Sequence, residues 1–314
     1  MPSSTAIIPA APRSASVRLG SKTLSLSNLH KVFYPKSGFT KGQVIDYYAR
    51  VAPVILKHLR GRPVTLKRYP DGVDGIFFYE KRCPAHRPDW FGTIPVWSEG
   101  NAQDIAFCSI DSLASLVWIA NIASIELHVM LCTRPKLDRP TAMVFDFDPG
   151  PPANIADCVR AALRMRTLLK DLGLECFPKT SGGKGLHLYV PLNTATTFER
   201  TKTLAHTLAL AMERDDPKRI ISTMAKRDRV GKVLIDWSQN DDHKTTVCAY
   251  SLRAREHPTV STPVTWAEVE AVKTRRDASK LVFRTEAVLR RIETHGDLFA
   301  PVLALKQKLP RSIA

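Results

Sequence analysis

Two periodicities of apolar residues alternate along the chain. Between Thr40 and Gly61, the residues Val44, Tyr47, Tyr48, Val51 and Ile55 recur three and four positions apart, which lines them up on one side of a helix. Thr40 and Gln43 carry the spacing of a capping box. Gly61 supplies a stop, and Pro53, inside the pattern, predicts a kink. Two short strand-like runs, Val17–Leu19 and Thr23–Leu26, come before this helix. Asp111 is placed to cap a second helix carrying Leu113, Leu116, Val117 and Ala120. These elements predict a mixed α/β lobe over residues 15–140, closing near Lys136-Leu-Asp-Arg-Pro140.

Beyond residue 140 the pattern sharpens. It predicts a strand, Ala142–Asp148; a helix, Asn154–Leu172, stopped by Gly173; a strand, Leu174–Phe177; a loop, Lys179–Gly185; a strand, Leu186–Val190; a helix, Phe198–Arg214; and a strand, Val233–Trp237. The order β-α-β-β-α-β is the split βαβ or RNA-recognition-like arrangement. With right-handed crossovers, its first strand lies between the third and the fourth. Side chains on those three strands are therefore brought together.

Alternation along Val144-Phe-Asp-Phe-Asp148 puts Asp146 and Asp148 on one face and Phe145 and Phe147 on the other. Two neighbouring carboxylates repel unless a cation lies between them. As a pair they equally suit a strand-end turn before Pro149-Gly150. A third carboxylate, Asp236 in Val233-Leu-Ile-Asp-Trp237, favours a metal site, because a charge in an apolar run needs a partner. An ion pair with a neighbour such as Lys232 is its ordinary alternative. Three converging carboxylates could hold two Mg2+ or Mn2+ ions.

The loop Thr180-Ser-Gly-Gly-Lys-Gly185 can turn backbone N–H groups toward an anion, with Ser181 adding a hydroxyl and Lys184 a charge. It lacks the spacing of a Walker A loop, and alone it would read as a glycine-rich hairpin. His187 and Tyr189 share a strand face next to it. Alone, a strand histidine reads as structural; beside this loop, His187 could reach a nucleotide's phosphates. Cations and rings interleave between Lys57 and Arg82, including Lys67, Arg68 and Phe77-Phe78-Tyr79. This suits phosphates and unstacked bases as well as it suits a solvated basic face over core aromatics.

Charge points the same way. Over 314 residues, 46 Lys and Arg against 30 Asp and Glu leave +16, which fits a polyanionic partner. No apolar run approaches the roughly 20 residues of a membrane helix, and the N-terminal segment does not read as a secretory signal. A cytoplasmic, nucleoid-associated protein without a membrane partner is expected. Residues 1–14, rich in Ser, Ala and Pro, read as a flexible tail, and 301–314 as a basic C-terminal tail. The six cysteines stand singly and read as free thiols. Cys83-Pro-Ala-His86 has no second tight pair, so no zinc is expected.

Three strings, Phe145-Asp-Phe-Asp-Pro149, Thr180-Ser-Gly-Gly-Lys-Gly-Leu-His-Leu-Tyr189 and Ile235-Asp-Trp-Ser-Gln-Asn240, closely resemble the polymerase domain of bacterial DNA ligase D, a branch of the archaeo-eukaryotic primase superfamily. The likeness runs from about Leu24 to Phe299. It implies one α/β (α+β) primase-polymerase domain over residues 15–300, its RNA-recognition-like catalytic lobe (141–300) packed on the mixed lobe (15–140). It implies a template-directed nucleotidyltransferase of non-homologous end joining. The substrates would be NTPs or dNTPs, ribonucleotides preferred, added at gapped DNA and DNA ends with a 5′-phosphate. The ions would be Mn2+ or Mg2+, and the partners Ku and a DNA ligase. A primer-independent primase and a non-catalytic DNA-end-binding scaffold are the alternatives.

By position, the resemblance assigns Asp146, Asp148 and Asp236 to metal binding and catalysis, and Ser181, Lys184, His187, Gln239, Arg253 and His128 to the incoming nucleotide. Asn28, Lys31 and Lys41 fall to the 5′-phosphate, and Lys67, Phe77, Phe78, Lys226 and Arg229 to DNA and template. The chain departs from the family at Cys248-Ala249, where relatives have a proline before Tyr250-Ser-Leu-Arg253. It also lacks the Lys-x-Asp-Gly signature of a nucleotidyl-lysine ligase, so no ligation is expected.

Overall fold

In the computed structural model, which describes residues 13–310, the first helix forms as its pattern predicts. Strands β1 (Ser14–Leu19) and β2 (Lys22–Ser27) pair as a hairpin ahead of helix α1 (Lys41–Leu59). The Thr40 hydroxyl accepts from the Gln43 N–H at 3.3 Å, and the Gln43 side chain accepts from the Thr40 N–H at 2.8 Å. Val44, Tyr48, Val51 and Ile55 are fully buried. Burial of each such apolar side chain contributes about 1.5–3 kcal/mol. The Tyr47 and Tyr48 hydroxyls, carried inside with them, donate to the carbonyls of Tyr250 and Ile125 at 2.8 and 2.6 Å.

Strands β3 (Val64–Arg68), β4 (Phe78–Glu80), β5 (Thr93–Ser98) and β6 (Gln103–Cys108), helix α2 (Leu113–Asn121) and strand β7 (Ser124–Val129) follow. The strand order is β7-β3-β6-β5, with β4 also pairing with β3. Two expectations need correction here. The cap of α2 is Ser112 rather than Asp111, which stands one residue too early: Ser112 Oγ accepts from the Ser115 N–H at 3.2 Å, and Ser115 Oγ returns the bond to the Ser112 N–H at 3.0 Å. Cys83 and Cys108, read as free thiols, form a disulfide with Cα atoms 4.8 Å apart. The Cys83 N–H donates to the Ala106 carbonyl, which draws the loop bearing Cys83 against β6. Cys132, Cys158, Cys176 and Cys248 are buried and lie outside disulfides.

The later elements are β8 (Ala142–Pro149), α3 (Ile155–Asp171), β9 (Phe177–Thr180), β10 (Leu186–Pro191), α4 (Phe198–Asp215), β11 (Ile220–Ile221) and β12 (Val233–Asp236). Their sheet runs β9-β10-β8-β12-β11, so the first strand does lie between the third and the fourth, antiparallel to both. Phe145, Phe147, Leu186, Leu188, Val233 and Ile235 share a core with Ala162, Met165 and Leu169 of α3 and Leu204, Ala205 and Met212 of α4. This packing fixes which sheet face carries the polar residues. The strand expected at Leu174–Phe177 begins only at Phe177. Gly173, at φ 71°, ends α3 in a left-handed turn, the Leu174 N–H donates to the Leu169 carbonyl, and Leu174 and Cys176 enter the core.

The chain forms two compact units. The first takes the residues through Val129 with Tyr250–Val260 and Arg284–Gly296; the second takes Met130–Ala249, Ser261–Phe283 and the chain from Asp297. The division is discontinuous, where the sequence reads as one cut near residue 140. Part of the segment read as a C-terminal tail is built into the second unit: Asn193 Nδ2 donates to the Val302 and Leu305 carbonyls, and the Gln307 N–H donates to the Leu192 carbonyl at 2.8 Å. Residues 1–12, most of the expected N-terminal tail, lie outside the described residues. Among the described residues no helix is long and apolar enough to cross a membrane.

Candidate active site

On the polar face of the second unit's sheet, Asp146 of β8 stands directly opposite Asp236 of β12 on one side and His187 of β10 on the other. Facing side chains on paired strands lie roughly 5 Å apart. Two carboxylates placed this way repel unless a cation or hydrogen-bond donors lie beside them. Nearby donors offset part of this. His187 Nε2 is 3.2 Å from Asp146 Oδ1. Asp236 Oδ1 accepts from the Ser238 N–H at 2.9 Å and the Ser238 hydroxyl at 2.6 Å, and its Oδ2 accepts from Gln239 Nε2 at 2.8 Å. Asp148, two residues along β8, is 53% exposed, with Arg229 Nη1 at 3.9 Å. Facing carboxylates with a third alongside form an all-oxygen donor set that suits hard divalent cations. These residues fit a metal site.

A second acidic group, not singled out from the sequence, lies at Asp241, Asp242 and His243, whose possible ligand atoms lie within 4.8 Å of one another. Within it, His243 Nδ1 sits 2.6 Å from Asp241 Oδ1, and Lys202 pairs with Asp241.

The Ser181–Gly185 loop is tied to the same strand. Ser181 Oγ accepts from the N–H groups of Gly183 and Gly185, both at 3.1 Å, and the Ser181 N–H donates to the Gly185 carbonyl at 3.0 Å. The serine thus shapes the loop. A Cβ on Gly185 would stand 2.1 Å from the Phe147 carbonyl oxygen, so only glycine lets the loop close against β8 between Asp146 and Asp148. Lys184 is exposed at the loop's turn. Lys226 opens the short turn Lys226–Arg229, and its side chain lies outside the described residues. Arg229, at the end of that turn, reaches Asp148.

The first unit carries the other expected contacts in two groups. Asn28 adopts φ 54° after β2; the Lys31 N–H donates to its carbonyl, and the Lys41 N–H donates to the Lys31 carbonyl at 2.8 Å. All three residues therefore meet at the N-terminus of the 19-residue helix α1, whose dipole favours anions. Lys31 Nζ donates to the Pro70 carbonyl at 2.7 Å and to Asp71 Oδ1 at 2.6 Å, and Lys41 Nζ donates to the Ser27 carbonyl at 2.6 Å. Burial, and then the charge of Lys31, lower the Lys41 pKa to about 8.

In the second group, Lys67 Nζ lies over Phe77 at 4.3 Å and over Tyr69 and Tyr79 at 5.3 Å. Phe77 and Phe78 are 49% and 41% exposed, as stacking surfaces must be. His128 and Arg253 converge on Glu126, an acid missed in the sequence reading. A lone carboxylate within Ser124-Ile-Glu-Leu-His-Val129 carries the same signal that marked Asp236: a charge in an apolar strand needs partners.

Residues 40–299 match the family model for the primase-polymerase domain of LigD. The chain is 41% identical over 283 residues to the multifunctional non-homologous end joining DNA repair protein LigD of Mycobacterium tuberculosis, a match covering 88% of this chain and 36% of that protein. It is 31% identical over 274 residues to the bifunctional non-homologous end joining protein LigD of Bacillus subtilis, covering 87% and 43%. The chain thus spans less than half the length of these relatives. Among solved structures, the polymerase domain from Mycobacterium tuberculosis ligase D in complex with DNA superposes with a TM-score of 0.82 at 40% identity, covering 90% of this chain and 99% of that one.

Proposed function

The chain belongs to the LigD primase-polymerase family, and on that premise we propose that it is a template-directed nucleotidyltransferase of bacterial non-homologous end joining. It adds nucleotides, ribonucleotides preferred, to a 3′-hydroxyl at gaps and broken DNA ends that carry a 5′-phosphate. Ku and a DNA ligase complete the repair. The observation that carries this reading is the register of β8 and β12, which opposes Asp146 to Asp236 with Asp148 beside them.

Asp146, Asp148 and Asp236 would hold two divalent ions, Mn2+ or Mg2+. Bound there, such ions would acidify the attacking hydroxyl and neutralise the leaving pyrophosphate. The 3′-oxygen forms a bond to the α-phosphorus as the bond to pyrophosphate breaks, and the hydroxyl proton passes to solvent water. The protein's own share is placement and electrostatics. His187 steadies Asp146, while Ser238 and Gln239 fix both oxygens of Asp236. The Ser181–Gly185 loop and Lys184 seat the triphosphate, with His187, Gln239, His128 and Arg253 also contacting the nucleotide. Lys31, Lys41 and Asn28 take the terminal phosphate. Phe77 and Phe78 stack on the template; Lys67, Lys226 and Arg229 meet the DNA.

The test is extension of a gapped duplex with a downstream 5′-phosphate, using NTPs and Mn2+. Wild type extends the primer; Asp148→Ala and Asp236→Ala each fall by orders of magnitude. Unchanged rates in these variants would rule the metal assignment out, and equal synthesis on a template without a 3′-hydroxyl would identify a primase.

A further inference from the structure

Glu126, assigned to neither the metal nor the phosphate sites, is a buried acid of the first unit set among cationic and N–H groups. Its side chain is 2% exposed. Oε1 accepts from the Ala254 N–H at 3.0 Å and lies 3.8 Å from Lys67 Nζ, and Oε2 lies 3.0 Å from His128 Nε2 and 3.2 Å from Arg253 Nε. Three elements supply these groups. β7 carries Glu126 and His128 two residues apart, on one face; Lys67 is the cross-strand partner of Glu126 on β3; Arg253 and Ala254 come from the strand Leu252–Ala254. We propose that Glu126 is a positioning residue for nucleotide binding, its carboxylate fixing the tautomer of His128 and the placement of the Arg253 and Lys67 cations.

This rests on the assignment of His128 and Arg253 to the incoming nucleotide. An ionised carboxylate only accepts hydrogen bonds. Burial alone would raise the Glu126 pKa, but the His128 bond and the charges of Arg253 and Lys67 hold it well below the usual carboxylate range. Burial likewise lowers the His128 pKa, against the pull of Glu126, so the ring is neutral near neutral pH. Nε2 must then carry the hydrogen that Glu126 accepts, which makes Nδ1 an acceptor for a donor such as a sugar hydroxyl. On the other side, one carboxylate holds the Arg253 guanidinium and the backbone beside it, so the cation is placed before a triphosphate arrives. A neutral amide at position 126 can offer Nε2 either oxygen or NH2. It loses the fixed tautomer and leaves two cations in a buried pocket without their counter-charge.

The experiment is steady-state gap filling with wild type, Glu126→Gln, Glu126→Asp, Arg253→Ala and the Glu126→Gln/Arg253→Ala double variant, with a thermal melt of each. Glu126→Gln raises the nucleotide KM by about tenfold or more while kcat stays within about threefold, since ground-state placement is what is lost. The ratio of affinities for gapped DNA with and without the downstream 5′-phosphate is unchanged, since that increment is assigned to Asn28, Lys31 and Lys41. Glu126→Asp, which keeps the charge on a shorter arm, is intermediate, and the double variant loses less than the two single losses combined, because part of the Glu126 effect runs through Arg253. If Arg253→Ala raises KM and Glu126→Gln does not, the positioning role is refuted and the nucleotide assignment stands. If Arg253→Ala leaves KM unchanged, the assignment itself fails and takes the proposal with it. Failure of both position-126 variants to melt cooperatively would make the carboxylate a folding element, which also overturns the proposal.

Discussion

Lys41 ties the proposed 5′-phosphate site to pH. Its ammonium is buried at the start of α1 next to Lys31, and its pKa is lowered to about 8. A group with that pKa is about 90% charged at pH 7 and about 10% charged at pH 9. A terminal phosphate has its second pKa near ~6 and stays dianionic across this range. The sign follows directly: the phosphate needs the cation, so affinity is full below the Lys41 pKa and falls as pH rises through it. Between pH 7 and 9 the loss is about tenfold, equivalent to about 1.4 kcal/mol. The assay is fluorescence anisotropy of a gapped duplex with and without the downstream 5′-phosphate, at constant ionic strength, read as the ratio of the two dissociation constants. Wild type should show that ratio collapsing toward pH 9. Lys41→Arg, charged throughout, should flatten the profile even if its absolute affinity changes. A ratio independent of pH in wild type, or an equally steep profile in Lys41→Arg, would refute the reasoning.

Two further outcomes follow from contacts near the sites. Asp71 occupies Lys31 Nζ from an exposed position. Asp71→Asn should strengthen 5′-phosphate-dependent binding about two- to fivefold, the scale of an exposed ion pair; weaker binding in the same anisotropy assay would count against Lys31 as a phosphate ligand. Gly185→Ala drives a methyl group into the Phe147 carbonyl oxygen. It should lower stability by about 1–3 kcal/mol, as overpacking does, and depress extension more than a stability-matched core variant; an unchanged melting temperature and rate would show that the loop does not need to close on β8.

The sequence disclosed the stretch from Ala142 to Asp236 in most detail because its main strands and helices carry physical marks. Alternation sets Asp146 and Asp148 against Phe145 and Phe147, Gly173 stops α3, and the right-handed crossover rule puts β8 in the middle. The structure reproduces that order, and Asp146 and Asp236 come out as direct cross-strand partners. The misplaced strand at Leu174–Phe177 shows where pattern misleads: Leu174 and Cys176 are apolar because they cover the end of α3, not because they pair. The Cys83–Cys108 pairing left no trace in spacing, since a backbone contact between a loop and β6 brings the two residues together across 25 positions. Lys31 and Lys41 were invisible to composition and visible only through the family resemblance. Their meeting depends on a left-handed Asn28 and two backbone hydrogen bonds, none of which has a periodic signature. Glu126 was legible by the reasoning applied to Asp236 and was passed over because one acid near so many cations reads as ordinary charge balance.

The central claim is that Asp146, Asp148 and Asp236, rather than the Asp241–His243 group, hold the divalent ions used for nucleotidyl transfer. Titration of Mn2+ into the protein, followed by electron paramagnetic resonance of the free ion, tests it most directly. Wild type and Asp242→Asn should remove Mn2+ from solution alike, and the double variant Asp148→Ala/Asp236→Asn should lose that binding while still melting cooperatively. Mn2+ binding retained in the double variant, or abolished by Asp242→Asn, would contradict the account.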